Sequence, residues 1–77
     1  MDARTVGLRL EDLNNKARKI LYENGVKNTD YDSDAWRKVI GLQNAFQLEL
    51  DNEDIKLAVV WLRADRGRGE GFILCWN

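Results

Sequence analysis

The feature that most constrains the fold of this sequence is a change in the spacing of its apolar residues. Between Leu10 and Leu21, and again between Trp36 and Ile40, apolar residues recur every three or four positions, as they do along one side of an amphipathic helix. From Phe46 to Leu50, and again from Ile55 to Trp61, apolar residues occupy every second position. A period of two is typical of a strand with one buried face. The change of period predicts helices followed by antiparallel strands, which is an α+β fold.

The acidic segment 51–54 separates the two alternating stretches and is interpreted as a hairpin turn. If it closes a hairpin, one register brings the apolar residues of both stretches face to face. That register pairs Leu50 with Ile55, Leu48 with Leu57, and Phe46 with Val59. We therefore predict a hairpin over residues 46 to 63. The alternative is a helix that Asn52 caps and that runs to Leu62, which would make the chain a small all-α bundle.

The first helix is predicted from Leu10 to about Asn24, because Asn24 and Gly25 form a left-handed stop signal. Its inward side carries Leu10, Leu13, Ala17, Ile20 and Leu21. The segment from Thr5 to Leu10, which precedes this helix, is considered as an additional edge strand.

A second helix is predicted between a cap at Asp32 or Ser33 and an end near Ala45. Its inward side carries Trp36, Val39 and Ile40, and Gln43 is the next candidate on that side. After the hairpin, the glycines of segment 66–71 predict a loop, and residues 72–76 predict a last strand. The expected architecture is two helices followed by a three-stranded antiparallel meander, in one domain spanning residues 1–77.

Composition limits the classes of function. The chain has 12 basic and 13 acidic residues and no histidine, so its charge favours no polyanion, and the commonest catalytic base and metal ligand is missing. A single cysteine, Cys75, and a start without a signal-peptide pattern favour the reducing cytoplasm. The longest wholly apolar run, residues 57–62, is too short to cross a membrane. We expect a cytoplasmic protein that is not an enzyme and uses no cofactor.

One acidic pattern has the opening spacing of a calcium-binding loop. Asp30, Asp32 and Asp34 stand at alternate positions, as oxygen ligands do in such loops. Ala35 stands where the loop needs glycine, and Gly41 stands where it needs a bidentate glutamate. No metal site is predicted.

Three arginines lie in or beside the glycine-rich segment. Arg63, Arg66 and Arg68, with Lys56 nearby, have a chemistry suited to phosphates or RNA. Acidic residues at positions 65 and 70 offset part of this charge, and the lysine followed by serine or threonine of a phosphate-binding loop is missing. A nucleic-acid-binding protein is therefore the alternative function.

The predicted sheet is apolar on both faces. The residues that point away from the Leu57, Val59 and Trp61 face are Ala58, Val60, Leu62, Ile73 and Cys75. A sheet covered on one side only is normally polar on the other, so either one helix covers each face or one face is left uncovered, and two short helices make complete coverage of both faces difficult. Of these two alternatives, the pattern favours an apolar patch that is left for a partner. Trp76, near the end of the chain, is predicted to be partly exposed and to join that contact.

The leading interpretation is a small non-enzymatic protein-binding module, acting as an adaptor, an inhibitor or a homodimer. Its predicted contact residues are Ala58, Val60, Leu62, Ile73 and Trp76, with Arg63, Arg66 and Arg68 at the rim. The size of the chain suits a phage or mobile-element protein. A third interpretation is a small ribonuclease similar to bacterial toxins, which rests on the helix-helix-meander topology alone.

Overall fold

Two helices and one antiparallel hairpin make up the described part of the chain. The computed structural model describes residues 1–25, 33–62 and 71–76. The elements in chain order are α1 (Ala3–Glu23), α2 (Asp34–Asn52), β1 (Leu57–Leu62) and β2 (Gly71–Trp76). The α+β class is confirmed, but the described residues form a two-stranded sheet and not the predicted three-stranded meander.

α1 begins well before the predicted start at Leu10. The Asp2 carboxylate caps the helix by accepting a hydrogen bond from the Thr5 N–H at 2.7 Å. The backbone and side chain of Thr5 lower the pKa of Asp2 below its ordinary value, because their hydrogen bonds favour the carboxylate form. The segment Thr5 to Leu10, considered as an edge strand, is therefore helical.

The predicted helix ends on either side of segment 26–32 are confirmed. α1 ends at Glu23, and Gly25 has a φ of 61°, the left-handed conformation that the stop signal requires. α2 begins at Asp34, and the Ser33 hydroxyl caps it by accepting a hydrogen bond from the Trp36 N–H at 3.3 Å.

The predicted strand over residues 46–50 is wrong, because α2 continues to Asn52. Phe46 and Leu50 are buried four residues apart, on the side of the helix that also buries Val39. Leu48, which the alternation placed beside them, is 60% exposed. The hairpin over residues 46 to 63 therefore does not form. The all-α alternative is also wrong, because residues 57–62 form a strand.

The acidic segment 51–54 ends α2 instead of turning a hairpin. The Ile55 N–H donates to the Leu50 carbonyl at 2.9 Å, and the Asp54 N–H donates to the Asp51 carbonyl at 3.1 Å. Together with the φ of 58° at Asp54, these bonds form a Schellman motif, which usually has glycine at the left-handed position. Ile55 packs against the core next to the helix end, and the chain enters β1 two residues later.

The core lies between the two helices and one face of the hairpin. α1 packs against β2, and α2 packs against β1. The indole of Trp61 contacts Trp36 and Phe72 edge to face, with ring centroids 5.0 and 4.9 Å apart. Of the residues predicted to face inward on α2, Trp36 and Val39 are buried, whereas Ile40 is exposed.

Each helix supplies one amide side chain to one edge of the hairpin. Asn14 of α1 donates to the Phe72 carbonyl at 2.9 Å and accepts from the Phe72 N–H. Gln47 of α2 donates to the Leu57 carbonyl at 2.9 Å and accepts from the Val59 N–H at 2.8 Å. These bonds take the place of a neighbouring strand, since the outer edges of a two-stranded sheet have unpaired backbone groups.

Glycine is required where β2 begins, because α1 comes very close to the strand there. A Cβ at Gly71 would lie 2.8 Å from Asn14 Oδ1 and 2.8 Å from Arg18 Nη2. Any larger residue would push Asn14 away from the strand edge.

Candidate functional site on the outer face of the hairpin

The face of the hairpin that points away from the helices is apolar and exposed. We define it as the outer face, and its side chains are those of Ala58, Val60, Leu62, Ile73 and Cys75. Val60, Leu62 and Ile73 are 43%, 50% and 37% exposed. Val60 lies directly opposite Ile73, and Ala58 lies opposite Cys75, so the side chains form one continuous surface. Neither strand contains a charged residue.

The outer face is exposed because both helices pack on the opposite, inner face. On that inner face Val59 and Phe72 are buried. Successive residues of a strand point to opposite sides, so the neighbours of these two residues point away from the helices. The structure thus brings together Ala58, Val60, Leu62 and Ile73, which the sequence analysis selected as contact residues.

Trp76, the other predicted apolar contact, does not join the outer face. It pairs with Leu57 in the β ladder, and it shares the side of the strand with Phe72 and Leu74, which faces the helices. Its side chain is nevertheless 87% exposed at the end of β2. The indole therefore belongs to a different surface.

An apolar groove of about 440 Å³ lies beside this end of the hairpin. The residues that line it are Met1, Ala3, Val6, Gly7, Ile55, Leu57 and Leu74. Gly7 contributes no side chain to the wall of the groove, and a Cβ at that position would meet no atom of the described residues within 4 Å. This groove was not predicted from the sequence, because it joins the first turns of α1 to the ends of two strands that are distant from α1 in sequence.

A smaller cleft of about 130 Å³ between α1 and α2 contains paired charges. Arg9 donates to Glu49, and its guanidinium carbon lies 5.4 Å from the centroid of the Phe46 ring. Lys16 lies 2.9 Å from Asp12. Each charge has an opposite partner, and the described ranges contain no buried polar or charged residue. We assign no chemistry to this cleft.

Of the three aspartates of the calcium-loop pattern, only Asp34 lies within the described residues. Asp34 is the first residue of α2, and its carboxylate lies 3.2 Å from Arg37 Nη1. Asp30 and Asp32 lie outside the described residues. Over residues 1–25, 33–62 and 71–76, no group of three or more histidine, cysteine, aspartate or glutamate residues could hold a metal ion.

The arginines of the alternative function, Arg63, Arg66 and Arg68, lie outside the described residues. Lys56, which was grouped with them, is exposed, and its ammonium lies 3.3 Å from the Asp54 carboxylate. The nucleic-acid interpretation therefore remains a prediction from the sequence.

The fold and the exposed surfaces define a small α+β domain in which two helices cover one face of a hairpin. No family model, curated protein or solved structure matches the chain. Neither α1 nor α2, the helices of the described ranges, has the length and apolar character needed to cross a membrane.

Proposed function

We propose that this chain is a non-enzymatic, cytoplasmic protein-binding module that holds an apolar segment of a partner protein on the outer face. The observation that carries the proposal is the exposure of Val60, Leu62 and Ile73 in a chain whose helices both pack on the opposite face. Contiguous exposed apolar surface in a small protein marks interaction sites.

The dimensions of the outer face favour an amphipathic helix as the bound segment. Six-residue strands are about 20 Å long, and two strands present a surface about 10 Å wide once side chains are included. A helix with its side chains is about 10–12 Å across, and roughly 13 residues of helix match the strand length. Amphipathic helices commonly bind through such apolar surfaces.

Charged residues next to the outer face in sequence would form the rim of the contact. Arg63 follows Leu62 directly, and Arg66 and Arg68 belong to the same connection between the strands. Arginine is enriched at protein interfaces, where it pairs with acidic residues of the partner. The same arginines support the alternative of nucleic-acid binding. The ribonuclease interpretation loses its basis, because the described strands form no three-stranded meander.

The test uses two single substitutions on the outer face, Val60→Lys and Ile73→Glu. Each substitution places a charge at the centre of the proposed contact. Because both positions are partly exposed, the charge can reach water and the fold should be retained. Leu48→Lys is the control, because Leu48 is also an exposed apolar residue but lies on α2, away from the outer face. Wild type and the variants are immobilised and used to capture proteins from a lysate of the source organism. Each captured protein is then purified, and its dissociation constant for each immobilised chain is measured.

We expect a protein that wild type and Leu48→Lys bind equally and that both outer-face variants bind at least about tenfold more weakly. Equal binding by all four chains would overturn the proposal. Binding of mixed RNA or DNA that falls steeply with salt and ignores the outer-face variants would favour the nucleic-acid alternative.

A further inference from the structure

The outer edge of β2 is only partly capped. Asn14 binds both the N–H and the C=O of Phe72, so these two groups point away from β1. Backbone groups of alternate residues in a strand point to the same side, so those of Leu74 and Trp76 also point outward. Within the described part of the chain, neither residue has a hydrogen-bond partner on that side.

The two edges differ in this respect. On the β1 edge, Gln47 binds the Leu57 C=O and the Val59 N–H, so Trp61 is the one outward-facing residue of β1 with both backbone groups open among the described residues. On the β2 edge, Asn14 caps one end, and two successive outward residues, Leu74 and Trp76, have both groups open among the described residues. The open part has no charged or proline residue, the devices that usually protect an edge.

We propose that a second copy of this chain binds at the β2 edge, with the two β2 strands antiparallel and Trp76 of each copy in the apolar groove of the other. The dimer does not depend on the proposed function, because it uses the strand edge and the groove and leaves the outer face free. It would join two hairpins into one four-stranded sheet.

The free positions select one register. In a two-fold symmetric antiparallel pair centred on Cys75, Leu74 of each copy lies opposite Trp76 of the other, and both pairs exchange N–H and C=O bonds. A register centred on Leu74 would instead bring Trp76 opposite Phe72, whose groups Asn14 already occupies. The register centred on Cys75 is therefore the one that satisfies all the open groups.

That register brings each indole to a groove. Trp76 points to the helix side of the sheet and is 87% exposed in its own chain. Directly opposite residues have Cβ atoms about 4.5–5.5 Å apart, so Trp76 of the second copy would lie next to Leu74, which lines the groove. A groove of about 440 Å³ has the size of a small-molecule pocket and accepts an indole ring.

Gly7 supports this occupant. Glycine inside a helix lowers its stability, and no contact among the described residues requires it here, because an added Cβ would meet none of their atoms within 4 Å. A bulkier residue at position 7 would fill the groove. A contact made by one short strand edge and one indole from each copy is smaller than a standard interface of roughly 800 Å² per partner, so we expect a weak dimer with a dissociation constant of about 1 μM or above.

Sedimentation equilibrium of the full chain, from low micromolar to millimolar concentration, tests the proposal. Wild type should show a reversible monomer–dimer equilibrium, and Trp76→Ala should weaken it at least about tenfold. Gly7→Leu should weaken it similarly by filling the groove, whereas Gly7→Ala, which improves the helix in the same way, should leave it intact. Val60→Lys, on the outer face, should also dimerise like wild type.

A wild-type chain that stays monomeric at millimolar concentration would overturn the dimer. So would a Trp76→Ala variant that melts at a lower temperature with an unchanged mass distribution, because the indole would then fill the groove of its own chain. Dimerisation that both Gly7 variants weaken equally would also contradict the role of the groove.

Oxidative cross-linking tests the register. Cys75 is exposed on the outer face, and in the proposed register its Cα lies about 4.5 Å from that of Cys75 in the second copy, within disulfide range. With copper-phenanthroline as the oxidant, wild type should form a disulfide dimer rapidly. The control carries Ile73→Cys and Cys75→Ser, and its two thiols would be four residues out of register. Equal cross-linking rates for wild type and control would contradict the register.

Discussion

The two faces of the hairpin carry similar apolar side chains in very different surroundings. On the inner face Val59 is buried, and Trp61 packs between Trp36 and Phe72. On the outer face the side chain of Val60, the next residue along β1, is 43% exposed to solvent. The sequence of the strand does not distinguish the two faces by polarity. Which face is buried therefore depends on where the two helices pack. The outer face has apolar side chains like those of the core, but no helix covers it.

The largest loss of stability is expected from removing the Trp61 side chain from the inner face. Trp61→Ala removes both edge-to-face aromatic contacts and should lower the free energy of unfolding by about 3–5 kcal/mol, most of what a domain of this size possesses. Thermal melting followed by circular dichroism measures the loss.

Trp61→Phe is the matched control for the same position. Trp61 Nε1 is buried and has no hydrogen-bond partner among the described residues, so phenylalanine removes an unsatisfied donor while keeping an aromatic ring. We expect a much smaller loss, under about 1.5 kcal/mol. If both variants melted like wild type, Trp61 would not be a core residue.

A second prediction concerns the edge at which inner and outer faces meet. Asn14→Ala leaves the N–H and C=O of Phe72 without their partner and should destabilise the fold by about 1–2 kcal/mol. Asn15→Ala removes the same residue type from the next, exposed position of α1 and should stabilise it by about 0.5 kcal/mol through helix propensity. Urea denaturation of both variants gives the two signs, and equal signs would contradict the capping role of Asn14.

A third prediction concerns the turn that directs β1 onto the inner face. Asp54 has a positive φ, which costs a residue with a Cβ more than it costs glycine. Asp54→Gly should therefore raise the free energy of unfolding by about 0.5–1 kcal/mol. Asn52→Gly, inside the last turn of α2, should lower it by a similar amount, and differential scanning calorimetry resolves the two shifts. A destabilised Asp54→Gly variant would argue against the Schellman motif.

The spacing of apolar residues allowed much of this fold to be predicted. The prediction failed where the same residues fit both the period of a strand and the period of a helix. Phe46 and Leu50 satisfy an alternating pattern and also the four-residue spacing of a helix. Leu48 is the residue that decides between them, and its exposure is a tertiary outcome that no local pattern reveals. The start of α1 was not predicted because Val6, Leu8 and Leu10, which follow its cap Asp2, alternate with other residues as they would in a strand.

The candidate site was predicted in part for a related reason. Alternation within β1 and β2 identified the members of the outer face, because strand geometry fixes which side each residue takes. The same rule places Trp76 on the inner side of β2, but the residue was predicted on the outer face because it was expected to be exposed. Trp76 is exposed because it lies at the end of the strand. The edge bonds of Asn14 and Gln47 join residues that are distant in sequence, and no spacing predicts them.

The most direct test of the account compares two adjacent valines, Val59→Lys and Val60→Lys, in urea denaturation followed by circular dichroism. Val59 is 4% exposed and Val60 is 43% exposed, so the same substitution meets the core in one case and solvent in the other. We predict that Val59→Lys abolishes the cooperative transition, because it buries an unpaired charge, while Val60→Lys stays within about 1 kcal/mol of wild type. Equal loss of stability in both variants would show that the outer face is covered within the folded chain.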